Sequence, residues 1–285
     1  PKRQPETARM ARQSPLHDRL TAAGAAFGEL RGWERPNWYA PEGVEPRYEY
    51  SYQRQNWFPY SAEEHRAVRE TAGLFDQTSF AKFLLQGPDA ESVLQPICAN
   101  DVGVEPGNVV YTAMLNERGG IEADLTVTRM AEDQYMIVTG GGVARQNFTW
   151  VKSHIPEDAR AYLTDVSSAY ATLSVMGPNS RAILKGLTDT DLSNEAFPFL
   201  ASKEITIAYA PVRATRVTYV GELGWEIYVA TEFVAGVYDT IIEAGRSHGL
   251  RHAGYHAMDS LRIEKAYRSW GHDIVDVDTP LEAGL

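Results

Sequence analysis

The chain has 285 residues, 44% hydrophobic and 23% charged, with 27 basic against 38 acidic side chains and a formal charge of -11. This composition is globular, large enough for one big domain or two modest ones, and it excludes a disordered chain. The acidic balance argues against a sequence-independent grip on nucleic acid or an anionic membrane, and no run approaches the ~20 apolar residues that span a bilayer.

The chain opens on PKRQPETARMARQ, a polar stretch with no apolar segment after it, so no secretory leader is read there. It begins on Pro1 rather than methionine, as a piece of a longer protein would. With its single cysteine, Cys98, it has neither an intrachain disulfide nor a multi-thiolate metal site, which fits a reducing, cytoplasmic setting. Cys98 reads as a small core residue without the context of a nucleophile.

Ser14-Pro15 resembles an N-cap followed by proline at the first helical position, predicting a short helix that stops near Gly24. From Gly32 to Tyr60 the chain carries Trp33, Trp38, Tyr39, Tyr48, Tyr50, Tyr52, Trp57, Phe58 and Tyr60 among prolines. That pattern predicts an extended aromatic arm that docks on another surface. Ser61-Ala62-Glu63-Glu64 fits a capping box, with Gly73 closing the helix that follows. FAKFLLQGPDAESVLQ then reads strand, tight turn, helix.

The segment YTAMLNERGGIEADLTVTR, Tyr111 to Arg129, reads as a β-hairpin around Asn116–Gly120, whose two glycines are free to take positive φ. Alternation puts Ile121, Ala123, Leu125 and Val127 on one face and Glu122, Asp124, Thr126 and Thr128 on the other. Asp124 is thus mid-strand, where aspartate is depleted. Periodicity leaves open whether it lies on a solvated face or lines a cleft. Gly140-Gly141-Gly142 lacks the spacing of a dinucleotide or phosphate loop and reads as a strand-to-helix turn.

One pattern occurs twice. Leu85-Gln86-Gly87-Pro88-Asp89 with Val93-Leu94 matches Val175-Met176-Gly177-Pro178-Asn179 with Ile183-Leu184, 90 positions later. Each copy continues through a hairpin into a helix, Tyr135–Thr139 then Val143–His154, and Trp225–Val229 then Thr231–His248. The reading is a duplicated α+β half with a cleft between the halves. The second hairpin then places Tyr219 and Glu226 where the first places Tyr111 and Asp124, and Glu226 points away from Trp225, Ile227 and Val229. Two related strands would each supply one carboxylate and one nearby phenol.

His252 and His256 are four apart on a predicted helix, but with no HExxH pattern and no third ligand no metal is expected. There is no G-x-S-x-G elbow either, so covalent catalysis is poorly supported. Arg262, in AMDSLRIEKAYRSWG, reads either as a solvated helix charge, the favoured reading, or as half of an i,i+2 crowd with Glu264.

The runs YTAMLNERGGIEADLTVTR, TYVGELGWEIYV and GYHAMDSLRIEKAYRSWG with TPLEAGL resemble the folate-binding aminomethyltransferase family typified by the T-protein of the glycine cleavage system. SPLHDRLTAAGAAFGELRGWERPNWYAP, with NWF and GLFDQTSFAKFLLQG, is more particularly similar to the C-terminal half of sarcosine and dimethylglycine dehydrogenases. The likeness runs from Ser14 onward. It implies an α+β fold of duplicated ferredoxin-like halves, with 1–60 as linker and docking arm, 61–165 as the first half and 166–285 as the second. The C-terminal β-barrel of relatives would be missing or truncated.

By the same resemblance Asp124 is the catalytic acid, and Tyr111, Tyr219, Glu226 and Arg262 bind tetrahydrofolate. Ala123 stands where the T-protein usually has a further acid, and Leu223 replaces another. The implied activity is capture of a one-carbon unit from oxidative demethylation of sarcosine or dimethylglycine as 5,10-methylenetetrahydrofolate. FAD would belong to a separate oxidoreductase domain not present in this chain, and the ligands would be folate and a small amine-derived substrate. The alternatives are a non-catalytic folate-binding scaffold and a folate-dependent demethylase that uses another methyl donor.

Overall fold

The computed structural model describes residues 3–285. In chain order the elements are α1 (His17–Ala22), β1 (Ala25–Leu30), β2 (Trp33–Tyr39), α2 (Phe58–Glu70), β3 (Ala72–Asp76), β4 (Ala81–Gln86) and α3 (Ala90–Leu94). Then come β5 (Val109–Leu115), β6 (Ile121–Ala131), β7 (Gln134–Thr139), α4 (Ala144–Ser153), β8 (Tyr162–Asp165), β9 (Tyr170–Met176) and α5 (Ser180–Lys185). The chain continues through β10 (Ser202–Ile207), β11 (Ala210–Thr215), β12 (Gly224–Ala230), α6 (Val234–Gly245), β13 (Leu250–His252), α7 (Tyr255–Glu264) and α8 (Pro280–Ala283).

The fold is mixed α+β, in two compact units. One takes in the chain up to Ser79, Tyr170–Phe199 and Glu204–Ala266; the other Phe80–Ala169, Leu200–Lys203 and Tyr267–Leu285. The first carries a six-stranded sheet in the order β10-β11-β12-β9-β3-β13, in which β11, β12, β9 and β3 pair antiparallel and β13 runs parallel to β3. The second carries the antiparallel sheet β5-β6-β7-β4-β8. Both sheets are open.

The repeated Gly-Pro segments have the same local geometry. Gly87 and Gly177 have φ of +131° and +132°, each between a strand and a short helix. Neither turn has space for a side chain, since a Cβ would sit 2.0 Å from the Arg160 carbonyl oxygen at Gly87 and 2.6 Å from that of Thr71 at Gly177. Asp89 and Asn179 occupy the N-cap positions, but neither side chain caps its helix. Asp89 turns to the Arg160 backbone and guanidinium, and Asn179 donates to the His248 carbonyl at 2.9 Å.

Three expectations for the N-terminal third need correction. First, α1 begins at His17, and Ser14 accepts the Leu16 N–H through its hydroxyl at 3.2 Å just outside the helix. Second, α2 begins a turn before the expected capping box, with Pro59 pre-set for its first turn, so Ser61 and Glu64 are interior and buried. Its C-cap is Thr71, while Gly73 lies inside β3, where a Cβ would meet Val68 at 2.5 Å. Third, the aromatic stretch starts as a β-hairpin, β1 to β2, turned by Arg31 and Gly32 at φ of 51° and 87°.

The rest of the arm packs within its own unit. Trp38 is fully buried in a cluster with Ala26 and Ala40, stacked on Tyr60 at 5.4 Å, and Trp57 stacks on His256 at 4.0 Å. Glu64 fastens the arm: its carboxyl accepts the backbone N–H of Tyr39 at 2.7 Å and of Gly254 at 2.9 Å. Burial outweighs those two bonds and pushes Glu64 up to about 7. A carboxyl raised above its ordinary 4.5 holds its proton more tightly when folded, so its stabilising contribution is complete below about pH 4.5 and is lost as pH rises through about 7. The melting-temperature advantage of wild type over Glu64→Gln should therefore shrink steadily between pH 5 and pH 8; a constant difference would contradict this.

Candidate functional site

In the second unit the hairpin of β5 and β6 forms as the sequence predicts. Asn116 ties the turn by accepting the N–H of Arg118 and of Gly120 through its side chain, both at 3.0 Å. Gly119 takes φ +79°, whereas Gly120 is needed for space, because a Cβ there would meet the Asp276 carbonyl oxygen at 2.0 Å. Burial alternates as expected, with Ala123, Leu125 and Val127 in the core and Asp124 half-buried on the other face.

The register sets Ala113 opposite Asp124 and Tyr111 opposite Thr126, so Tyr111 and Asp124 are diagonal neighbours on one face. The Tyr111 hydroxyl donates to Asp124 Oδ2 at 3.3 Å. Burial raises the Asp124 carboxyl to about 6, against the opposing pull of that bond. Such a group exchanges its proton near physiological pH. Because the phenol favours the carboxylate, Tyr111→Phe should move the Asp124 midpoint above about 6 in a carboxyl 13C NMR titration. A midpoint that stayed put or fell would refute the pairing.

Glu226 lies in the middle of β12 in the other unit, buried at 8% exposure, with Ser174 of β9 and Thr215 of β11 as strand partners. As predicted it points away from Trp225, which is fully buried and edge-on to Phe197. Tyr228, two residues along the strand, donates its hydroxyl to Glu226 Oε2 at 2.5 Å. Tyr219 follows β11 in a loop rather than a strand and packs against the cluster of Val68, Phe75, Met258 and Leu261. β11 and β12 pair as the expected antiparallel hairpin, with Tyr219 in the loop that joins them rather than on a strand, and alternation already places Tyr228 on the face of Glu226.

Arg262 is not a solvated helix charge. It is 4% exposed on the inner side of α7 with Ala257, Met258 and Leu261, and its Nε and Nη2 donate to Asp259 Oδ1 at 2.7 and 2.6 Å. Glu264, the expected crowding acid, pairs instead with Arg69 at 3.0 Å and His65 at 3.2 Å. The two histidines do not share a helix either. His252 ends β13 and lies 2.6 Å from the Tyr238 hydroxyl, while His256 is on α7, and burial lowers both to about 4. Burial likewise pushes the Cys98 thiol up to about 12, which makes it a poor nucleophile.

The profile of the GCVT N-terminal domain matches residues 16–285. The chain belongs to that family. It is 45% identical, over its whole length and 34% of the relative, to 4-methylaminobutanoate oxidase (formaldehyde-forming) of Paenarthrobacter nicotinovorans. It is 39% identical to human mitochondrial sarcosine dehydrogenase, again over its whole length and 35% of that protein. Among solved structures it resembles the glycine cleavage system aminomethyltransferase T of Bartonella henselae, with a TM-score of 0.78 at 27% identity over 95% of this chain and 67% of that one. The family resemblance read from the hairpin and helix motifs therefore holds, and the chain is an aminomethyltransferase-type domain related to the methylglycine dehydrogenases. It spans about a third of the length of the curated relatives named here.

Proposed function

We propose that the chain is a tetrahydrofolate-binding aminomethyltransferase module built from duplicated ferredoxin-like halves. It captures a one-carbon unit, at the iminium or formaldehyde level, from oxidative demethylation of sarcosine, dimethylglycine or a related N-methyl amino acid, yielding 5,10-methylenetetrahydrofolate. The observation that carries this reading is Asp124, a mid-strand carboxyl held by the Tyr111 phenol and raised to about 6. A strand is an unfavourable place for aspartate, and a carboxyl so tuned fits proton transfer at neutral pH.

The donor set fits a reduced pterin. A buried carboxylate such as Glu226 accepts side-by-side N–H donors well, and the Tyr228 hydroxyl on Oε2 fixes its orientation. Folate supplies the two amines that hold the carbon. Asp124 takes up the proton released as the second amine closes on it, Tyr111 holds Asp124 for that task, and Tyr219 and Arg262 are further folate-binding residues of the unit that carries Glu226. The names of the relatives, an oxidase and a dehydrogenase much longer than this chain, support an FAD-dependent oxidoreductase domain as the source of the one-carbon unit.

Calorimetric titration with folinic acid tests the binding half of this reading. Glu226→Gln should weaken the interaction by about tenfold to a hundredfold, the loss expected when hydrogen bonds to a charged group are removed. No heat with wild type, or equal affinity for both proteins, would remove folate from the account.

A further inference from the structure

Arg35 lies on β2, half-buried, and its guanidinium carbon sits 4.0 Å above the ring of Tyr255 at the start of α7. Its Nε is shielded from solvent without a hydrogen-bond partner, and among the described residues the side chain makes no ion pair. Arg9, Arg69 and Arg262, by contrast, are ion-paired, with Glu34, with Glu222 and Glu264, and with Asp259 respectively. Glu34, the acid next to Arg35 in sequence, is committed elsewhere, accepting from Arg9 Nε at 2.7 Å and from the Met10 N–H at 2.8 Å.

The nearest groups facing Arg35 are the phenols of Tyr48 and Tyr255 and the imidazole of His256, while the acids Glu34 on β2 and Asp259 on α7 are paired with Arg9 and Arg262. Burial pushes the Tyr48 and Tyr255 phenols up to about 12 against the opposing field of Arg35, and burial together with that field lowers His256 to about 4. Tyr48 is held by Asn37 at 2.7 Å and lies 2.9 Å from His256 Nε2. Asp76 and Glu226 act on Tyr255 and Asp259 acts on His256, but none of the three is ion-paired to Arg35. A guanidinium fixed on an aromatic ring, with an unused donor and no counter-charge, is prepared for a planar anion that accepts two bonds at once.

We propose that Arg35 is a carboxylate-binding residue, receiving beside Tyr255 the carboxylate of a ligand of this domain. The carboxylate belongs to the amino-acid end of the one-carbon donor or to the glutamyl end of the folate, and in that respect the inference rests on the function proposed above. Calorimetry on the purified protein at pH 7.5 with four probes decides it: sarcosine against methylamine, and folinic acid against 6-methyltetrahydropterin, which carries no carboxylate.

Arg35→Gln should weaken one carboxylate probe by about tenfold or more and leave its carboxylate-free partner unchanged, and Arg35→Lys should fall between, because an ammonium keeps the charge but not the fork. Which probe suffers names the source. If both carboxylate probes bind wild type and Arg35→Gln alike, or wild type binds neither, the proposal is wrong. Should Arg35→Gln fail to fold, the Arg35→Lys comparison decides, with equal affinity counting against the proposal. Unchanged 6-methyltetrahydropterin binding in Glu226→Gln, alongside weakened sarcosine binding in Arg35→Gln, would overturn the folate reading and leave Arg35 standing.

Discussion

Asp124→Asn should lower formation of methylenetetrahydrofolate by about 10²- to 10⁴-fold, the range for loss of a positioned general base, while folinic acid binding stays nearly unchanged. The amide keeps the size of the side chain and its place beside Tyr111, but it cannot take up a proton. The wild-type rate should rise with pH through about 6 as the carboxyl ionises, because a base must be deprotonated to act. The variant should show no inflection there. The assay is product formation by the protein together with its amine-oxidising partner, followed from pH 5 to pH 8. An unchanged rate would remove Asp124 from the chemistry and favour a domain that only binds.

The second large effect is on stability. Gly177→Ala and Gly87→Ala should each cost about 3 kcal/mol or more, combining an unfavourable positive φ with a Cβ driven into backbone atoms. Gly236→Ala is the control with the opposite sign. Gly236 is inside α6 with nothing within 4 Å of its added Cβ, so alanine there should stabilise by about 0.5 to 1 kcal/mol. Urea unfolding midpoints separate the cases. Equal, small shifts at all three positions would mean that the Gly-Pro turns are not held as tightly as their contacts imply.

Much of the local structure was legible where one physical rule governed it. The hairpin around Asn116–Gly120 followed from turn chemistry and two-residue alternation. In the last predicted helix the apolar residues Val234, Val237, Tyr238, Ile241 and Ile242 recur at helical spacing with Gly249 placed to stop it; the first four are buried on α6, Ile242 is only partly so, and Gly249 ends the segment in the left-handed region at φ +71°. Errors came where competing signals overlapped. The Ser61–Glu64 pattern satisfies a capping box, yet Pro59 starts α2 earlier and burial claims both residues. Tyr39 and Trp38 looked like parts of a loose arm because the Arg31-Gly32 turn between β1 and β2 was hidden by flanking prolines and aromatics.

At the candidate site the division is sharper. Residue order alone established the repeat, the mid-strand positions of Asp124 and Glu226, and the side of the strand each faces, because alternation and turn preference act over a few neighbouring residues. Packing between distant segments decided everything about charge. It raised Asp124, buried Arg262 and joined it to Asp259, tied Glu64 to Tyr39 and Gly254, and left Arg35 on Tyr255 without an acid. Desolvation and ion pairing depend on which remote groups come within a few ångströms, and that information enters only when the chain closes on itself.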